Sequence, residues 1–248
     1  MKTTSKNNGK ELTVKLSKKS QLLNLRRILR ILIGGALLLT LSKTATSQIR
    51  IGLIGGPNFS TQFIELENRG EMHWRVNYSI GGIIDIPLSD HVSISAEPMF
   101  LRKGSRVEAI LNVENYIFNN SYLEIPVLAK YSIGNKVRPY LVAGPSMGFL
   151  LKADFGGNYM DDDYSANFHE VTKKIDFSLV SGAGVSFRVG LATLFIESQY
   201  TLGLVNTSVD GTVHVTAGNQ VLEIEVKDET IKNRGVQVMV GIALPLGK

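Results

Sequence analysis

A two-residue hydrophobic period, sustained over segments of about a dozen residues, limits this chain more than any other feature. It is plainest near the C-terminus, in Gly235-Val-Gln-Val-Met-Val-Gly-Ile-Ala-Leu-Pro-Leu246. Val236, Val238, Val240, Ile242, Leu244 and Leu246 fall on one face, and Gly235, Gln237, Met239, Gly241, Ala243 and Pro245 on the other. Similar segments lie near residues 49–60, 74–88, 91–103, 122–133, 138–151, 175–189 and 191–205. No convincing amphipathic helix separates them. Strands of soluble domains commonly run five or six residues, whereas a tilted bilayer crossing takes roughly 9–11. The pattern predicts an all-β fold, an eight-stranded antiparallel up-and-down transmembrane β-barrel.

The connections point the same way. Strands two and three are joined by little more than Ser89-Asp90, four and five by residues 133–137, and six and seven by 189–192. The other four connections, 61–73, 104–121, 152–174 and 206–233, are longer and polar. Short turns alternating with long loops around an even number of strands mark an outer-membrane barrel. A soluble sandwich has no reason to segregate its loops in this way.

Charge separates the chain into two parts. Residues 1–47 hold ten Lys/Arg against the single acid Glu11, so residues 48–248 hold 17 basic and 21 acidic residues. The overall charge of +5 therefore belongs to the leader, and the body has no footprint for nucleic acid. The basic stretch runs into the apolar segment Ile31–Leu41 and then Ala45-Thr46-Ser47. The apolar run is short for a membrane-crossing helix, and small residues stand at the −3 and −1 positions of a cleavage before Gln48. Residues 1–47 read as a basic leader with a cleaved signal peptide, with an uncleaved anchor as the alternative, and residues 48–248 as the barrel. The absence of cysteine excludes disulfides, thiolate metal sites and a thiol nucleophile.

Strand parity assigns the faces. Val76, Tyr78, Ile80, Ile84 and Ile86, then Leu123, Ile125, Val127, Ala129, Tyr131 and Ile133, then Ile175, Phe177, Leu179, Val185, Phe187 and Val189 form the expected lipid-facing sets. Phe59, Tyr78, Phe100, Phe149, Phe177 and Tyr200 fall toward one rim, and Tyr131 and Phe187 toward the other, as in two aromatic girdles. The opposite faces carry Arg50, Arg75, Asp85, Glu97, Glu124, Lys130, Asp176, Arg188 and Glu197. Opposite charges can pair across a narrow lumen, whereas on the lipid face each would be costly. Pro98, Pro126 and Pro145 fall inside strands, where a closed barrel offers no free edge, so β-bulges are expected there.

Three segments also carry a resemblance: Ile51-Gly-Leu-Ile-Gly-Gly-Pro-Asn-Phe-Ser60, Tyr122-Leu-Glu-Ile-Pro-Val-Leu-Ala-Lys-Tyr131 and Pro139-Tyr-Leu-Val-Ala-Gly-Pro-Ser-Met-Gly148. With Phe195–Asn206 as the penultimate strand, they resemble the PorT-like outer-membrane β-barrel proteins of the Bacteroidetes type. The resemblance spans essentially all of residues 48–248. It implies an eight-stranded barrel in the cell outer membrane, in a family whose founding member is tied to protein secretion. The chain departs from many outer-membrane barrels by ending Leu246-Gly247-Lys248 rather than on an aromatic residue.

Candidate chemistry is sparse. Glu97, Glu124 and Glu197 point inward, and Glu97 and Glu124 lie on adjacent strands, so a carboxylate pair is one reading. The favoured reading is a structural lumen charge network of Arg50, Asp85, Glu97, Glu124, Lys130, Asp176, Arg188 and Glu197, in a lumen just wide enough for side chains. Met160-Asp-Asp-Asp-Tyr164 with His169-Glu170 reads as a solvated acidic loop, since the glycine and closing glutamate of an EF-hand are missing. His169-Glu170-Val-Thr-Lys173 lacks the second histidine of a zinc helix, and His73, His91 and His214 stand singly. Gly182-Ala-Gly184 opens no helix and is no dinucleotide loop. No cofactor or metal is expected. The function read here is non-enzymatic: contact with the bilayer of the outer membrane, and with a protein partner in a secretion or envelope assembly. The rivals are a rim enzyme acting on lipid or peptide, tested by mutating His169 or Asp161–Asp163, and a narrow solute pore.

Overall fold

The structure, a computed structural model, describes residues 48–64, 72–107, 116–159, 162–217, 220–226 and 230–246. The leader, Met160, Asp161, Gly247 and Lys248 lie outside these. The described strands are β1 (Arg50–Ile64), β2 (Met72–His73), β3 (Arg75–Pro87), β4 (Val92–Ala96), β5 (Met99–Lys103), β6 (Arg106–Val107) and β7 (Tyr116–Ser132). They continue as β8 (Val137–Tyr159), β9 (Asp162–Asn167), β10 (Ile175–Val189), β11 (Ala192–Gly203), β12 (Gly211–Ala217), β13 (Gln220–Val226) and β14 (Ile231–Pro245).

Pairing closes on itself. β1 pairs with β3, β3 with both β4 and β5, and these two with β7. β7 pairs with β8, β8 with β10, β10 with β11, β11 with β14, and β14 returns to β1. All these pairs are antiparallel. The closing seam runs from Arg50 opposite Pro245 to Ile64 opposite Ile231, and Leu246 N–H donates to Ile49 O at 2.6 Å beyond it. The circuit therefore has no free edge, the condition for strands in hydrocarbon.

Faces follow the parity of the sequence. Tyr78, Ile80, Leu123, Tyr131, Leu141, Phe177, Leu179, Ile196, Val240 and Leu244 are exposed on the outside. Between them Ile54, Ile83, Met99, Tyr122, Leu128, Tyr140, Val180, Phe195 and Met239 fill the inside. Glycines make room for the largest inner rings. A Cβ on Gly184, opposite Tyr140 across the β8–β10 ladder, would lie 2.4 Å from the tyrosine ring. A Cβ on Gly241, opposite Phe195, would meet Phe195 Cζ at 2.2 Å.

The prolines do not make bulges. β4 and β5 hold one register on both neighbours: Ala96 faces Val127 and Met99 faces Glu124, so Glu97 and Pro98 interrupt the ladder without an extra residue. Each proline lacks only its donor. Pro98 O still accepts from Gly82 N–H at 2.9 Å, and Pro126 O from Glu97 N–H at 3.1 Å. Pro126 and Pro145 sit in ladders that keep register, and the register shift between β7 and β8 falls at Ser121/Tyr122.

Two of the long connections are not loops. β8 runs on past the barrel and turns back as β9, β9 pairs with β12, and β12 with β13. Segments 152–174 and 206–233 thus build one sheet over the end opposite the short turns. Its small core of Ala166, Val171, Val213 and Val215 packs with Phe155, Phe168 and Val226. Phe118 on β7 anchors it, with ring centroids 5.0 Å from Phe155 and 5.8 Å from Phe168.

Two outcomes test this architecture. Purified protein in SDS should migrate differently before and after boiling, because a closed barrel resists the detergent. Gly184→Val should lower the temperature of that transition, the overpacking cost being about 1–3 kcal/mol.

Candidate functional site

The inside of the barrel is polar in layers. At the end with short turns, Arg50 Nη2 pairs with Asp85 Oδ2 at 2.7 Å. Arg138 and Arg188 line the same pocket. Arg138 donates through Nη2 to Ser132 Oγ at 2.8 Å and to the Asp90 carbonyl. Farther in, Lys130 Nζ stands 3.7 Å above the Tyr140 ring and 5.5 Å from that of Phe195, a cation between aromatic faces.

Next come two carboxylates joined by one amide. Gln199 Nε2 donates to Glu97 Oε2 at 2.7 Å and to Glu197 Oε1, while Ser95 Oγ donates to Glu97 Oε1 at 3.0 Å. Glu97, Glu197 and Gln199 are all fully buried. The carboxylate that Glu97 meets is Glu197, not Glu124.

Glu124 belongs to the following layer, organised by Lys103. Lys103 Nζ lies 2.7 Å from Glu124 Oε2 and 3.1 Å from Asp176 Oδ2, and 5.1 Å from the centre of the Tyr122 ring. Ser146 Oγ donates to Glu124 Oε1 at 2.7 Å, and Asn233 Nδ2 to Asp176 Oδ2 at 2.9 Å. Nearer the long-hairpin end, Asn58 Nδ2 donates to Arg102 O at 2.6 Å and Ser105 Oγ to Gln62 Oε1 at 3.1 Å. Arg75 Nη1 reaches Asn119 Oδ1 at 2.7 Å.

Of the residues singled out in the sequence, Arg50 meets Asp85, Glu97 meets Glu197, and Glu124 and Asp176 share Lys103. Lys130 and Arg188 form no ion pair among the described residues. Lys103, Gln199, Tyr140 and Arg138 complete the arrangement and were not singled out. Parity held the signal for Lys103, which lies on the same face as Glu97, Met99 and Leu101 of its strand. The arrangement pairs Arg50 with Asp85 and Lys103 with Glu124 and Asp176, and fills the lumen with packed side chains.

The acidic segment lies elsewhere. Asp162 and Asp163 are backbone partners of Tyr159 and Asn158 in the β8–β9 hairpin, and Asp161 lies outside the described residues. His169 N–H donates to Asn167 Oδ1 at 2.8 Å, and Lys174 Nζ to His169 O at 2.6 Å. His91 Nδ1 is 3.0 Å from Ser132 O, and His214 Nδ1 is 3.6 Å from Glu223 Oε1 on the outer sheet. No group of three or more metal-ligating side chains occurs among the described residues.

Residues 40–209 match the outer membrane protein beta-barrel domain, and the chain belongs to that family. It is an outer-membrane protein. A major outer membrane protein of Thermus thermophilus is 9% identical with a TM-score of 0.49, over 81% of this chain and 100% of that one. Neisserial surface protein A is 13% identical with a TM-score of 0.44, over 81% of this chain and 98% of its own. OprG from Pseudomonas aeruginosa is 10% identical with a TM-score of 0.43, over 81% and 97% respectively. No curated protein matches this chain.

Removing Lys103 leaves two buried carboxylates without their counter-ion, a loss of about 3–5 kcal/mol in stability. Lys103→Ala should lower the heat-transition temperature clearly, while Lys152→Ala, whose ion pair to Asp154 is exposed, should leave it nearly unchanged.

Proposed function

We propose that this protein is a non-enzymatic outer-membrane component, an eight-stave barrel that acts by presenting its outer sheet to a protein partner. The count of eight takes β4 and β5 as one stave, which their common register on β3 and β7 supports. The leader 1–47 delivers the chain and is removed before Gln48, a reading that rests on the sequence. The segments Leu123-Glu-Ile-Pro126 and Pro139-Tyr…Gly-Pro145 favour the PorT-like branch, and with it an accessory role in secretion or envelope assembly.

The observation that carries the proposal is β13. It ends the outer sheet, pairs on one side with β12, and among the described residues no strand covers its other side. Its side chains are exposed on both faces, Val221 at 64% and Leu222 and Ile224 at 47% each. An open edge with apolar side chains is a template for strand addition, in which main-chain hydrogen bonds supply affinity. The layered lumen leaves conduction and catalysis little room.

The test uses the full mature protein, tagged and extracted in mild detergent from isolated outer membranes. A stoichiometric protein partner should accompany it and be lost from Leu222→Pro/Ile224→Pro, a change that blocks the edge while the barrel keeps its gel shift. A protein that purifies alone overturns the partner reading. In planar bilayers the pure protein should show no conductance; steady conductance would replace this reading with a pore.

A further inference from the structure

The pocket at the short-turn end is chemically unlike the rest of the lumen. Deeper layers hold more carboxylates than cations, with Lys103 between Glu124 and Asp176 and only an amide between Glu97 and Glu197, but here Arg50, Arg138 and Arg188 line one pocket with Asp85, and Asp90 lies close to Arg138. Asp85 is committed to Arg50 through Oδ2. Arg138 is held through Nη2 by Ser132 Oγ and the Asp90 carbonyl, and lines the pocket with Arg50 and Arg188. Like charges brought together in this way on separate strands call for an anion between them.

The unused hydrogen-bonding atoms say which anion. Nε of Arg50 and Nε of Arg138 are buried donors with no acceptor, while Asp85 Oδ1 is a buried acceptor with no donor. Buried polar atoms are satisfied in nearly all folded proteins, so these three are short of partners that a ligand or water seated among the pocket's charged groups would supply. A carboxylate or sulfate would satisfy the guanidinium groups and then set a bare oxygen against Asp85. A hydrogen phosphate accepts from arginine through its unprotonated oxygens and donates its remaining O–H to the carboxylate. The open space is about 30 Å³, room for roughly two or three water-sized oxygens.

Ile83 and Phe195 give the pocket its apolar lining, and Lys130, which also lines it, is packed against the Tyr140 and Phe195 rings. The short turns of outer-membrane barrels face the periplasm. We infer that the periplasmic mouth of this barrel is a binding site for a hydrogen phosphate group, either inorganic phosphate or the end of a phosphomonoester, gripped by Arg50, Arg138 and Arg188 and selected by Asp85. The inference is independent of what binds β13.

Isothermal titration calorimetry on the detergent-solubilised mature protein tests it, with inorganic phosphate, methyl phosphate and sulfate as the probes. Phosphate should bind saturably at one site and sulfate at least tenfold more weakly. Equal binding of methyl phosphate would indicate a phosphomonoester source, and binding of inorganic phosphate alone would indicate the free ion. Arg138→Gln/Arg188→Gln should weaken phosphate binding by tenfold or more while keeping the gel shift of a folded barrel. Asp85→Asn should erase the preference for phosphate over sulfate. No saturable phosphate binding to the unaltered protein overturns the site. So does binding that survives Arg138→Gln/Arg188→Gln, and sulfate binding as tightly as phosphate overturns the role of Asp85.

Discussion

Closure of the backbone hydrogen-bond circuit is the condition on which this molecule depends. Within a bilayer an unpaired strand edge would expose a row of N–H and C=O groups to hydrocarbon, at several kcal/mol for each unsatisfied group. The seam between β1 and β14 removes that edge, and it joins the two ends of the described barrel. No shorter piece of the circuit could satisfy itself. That is why the tolerated defects are single missing donors: Pro98 and Pro126 each keep the carbonyl half of their cross-strand pair.

Once closed, the barrel forces a division of side chains. Alternate residues must meet lipid, so the charges of β3, β7, β8, β10 and β11 can only be accommodated inward. The interior is narrow, and each charge there needs a partner within reach. Lys103 supplies one for both Glu124 and Asp176, Gln199 joins Glu97 to Glu197, and aromatic faces take Lys130. Gly184 and Gly241 yield the volume that Tyr140 and Phe195 fill. The same glycines that weaken strands elsewhere are here the complement of large rings across the ladder.

Much of this was legible in the sequence, because a two-residue period is a local property. Ile175–Val189 was read with its observed limits, and the inward positions of Asp85, Glu97, Glu124, Asp176 and Glu197 followed from parity alone. What parity could not give is who meets whom, since pairing across a lumen depends on stagger and on the reach of side chains from non-adjacent strands. Glu97 therefore found Glu197 rather than its neighbour Glu124. The segments 152–174 and 206–233 read as loops because their strands pair with each other and not with sequence neighbours alone. The proline bulges were expected on the premise that a missing donor must be released from the ladder, when losing one bond without a register change proved sufficient.

The two ends of the molecule are thus the places where its chemistry can meet anything but lipid. They differ in kind. At the long-hairpin end the barrel's own rule is broken: among the described residues β13 keeps an open edge, tolerable because water, unlike hydrocarbon, satisfies exposed backbone groups. At the short-turn end the backbone is closed and the broken rule is electrostatic, with Arg50, Arg138 and Arg188 lining one pocket with Asp85. The layers between them hold Glu97, Glu197, Lys103 and their partners in buried contacts. A barrel of this kind displays different surfaces at its two ends.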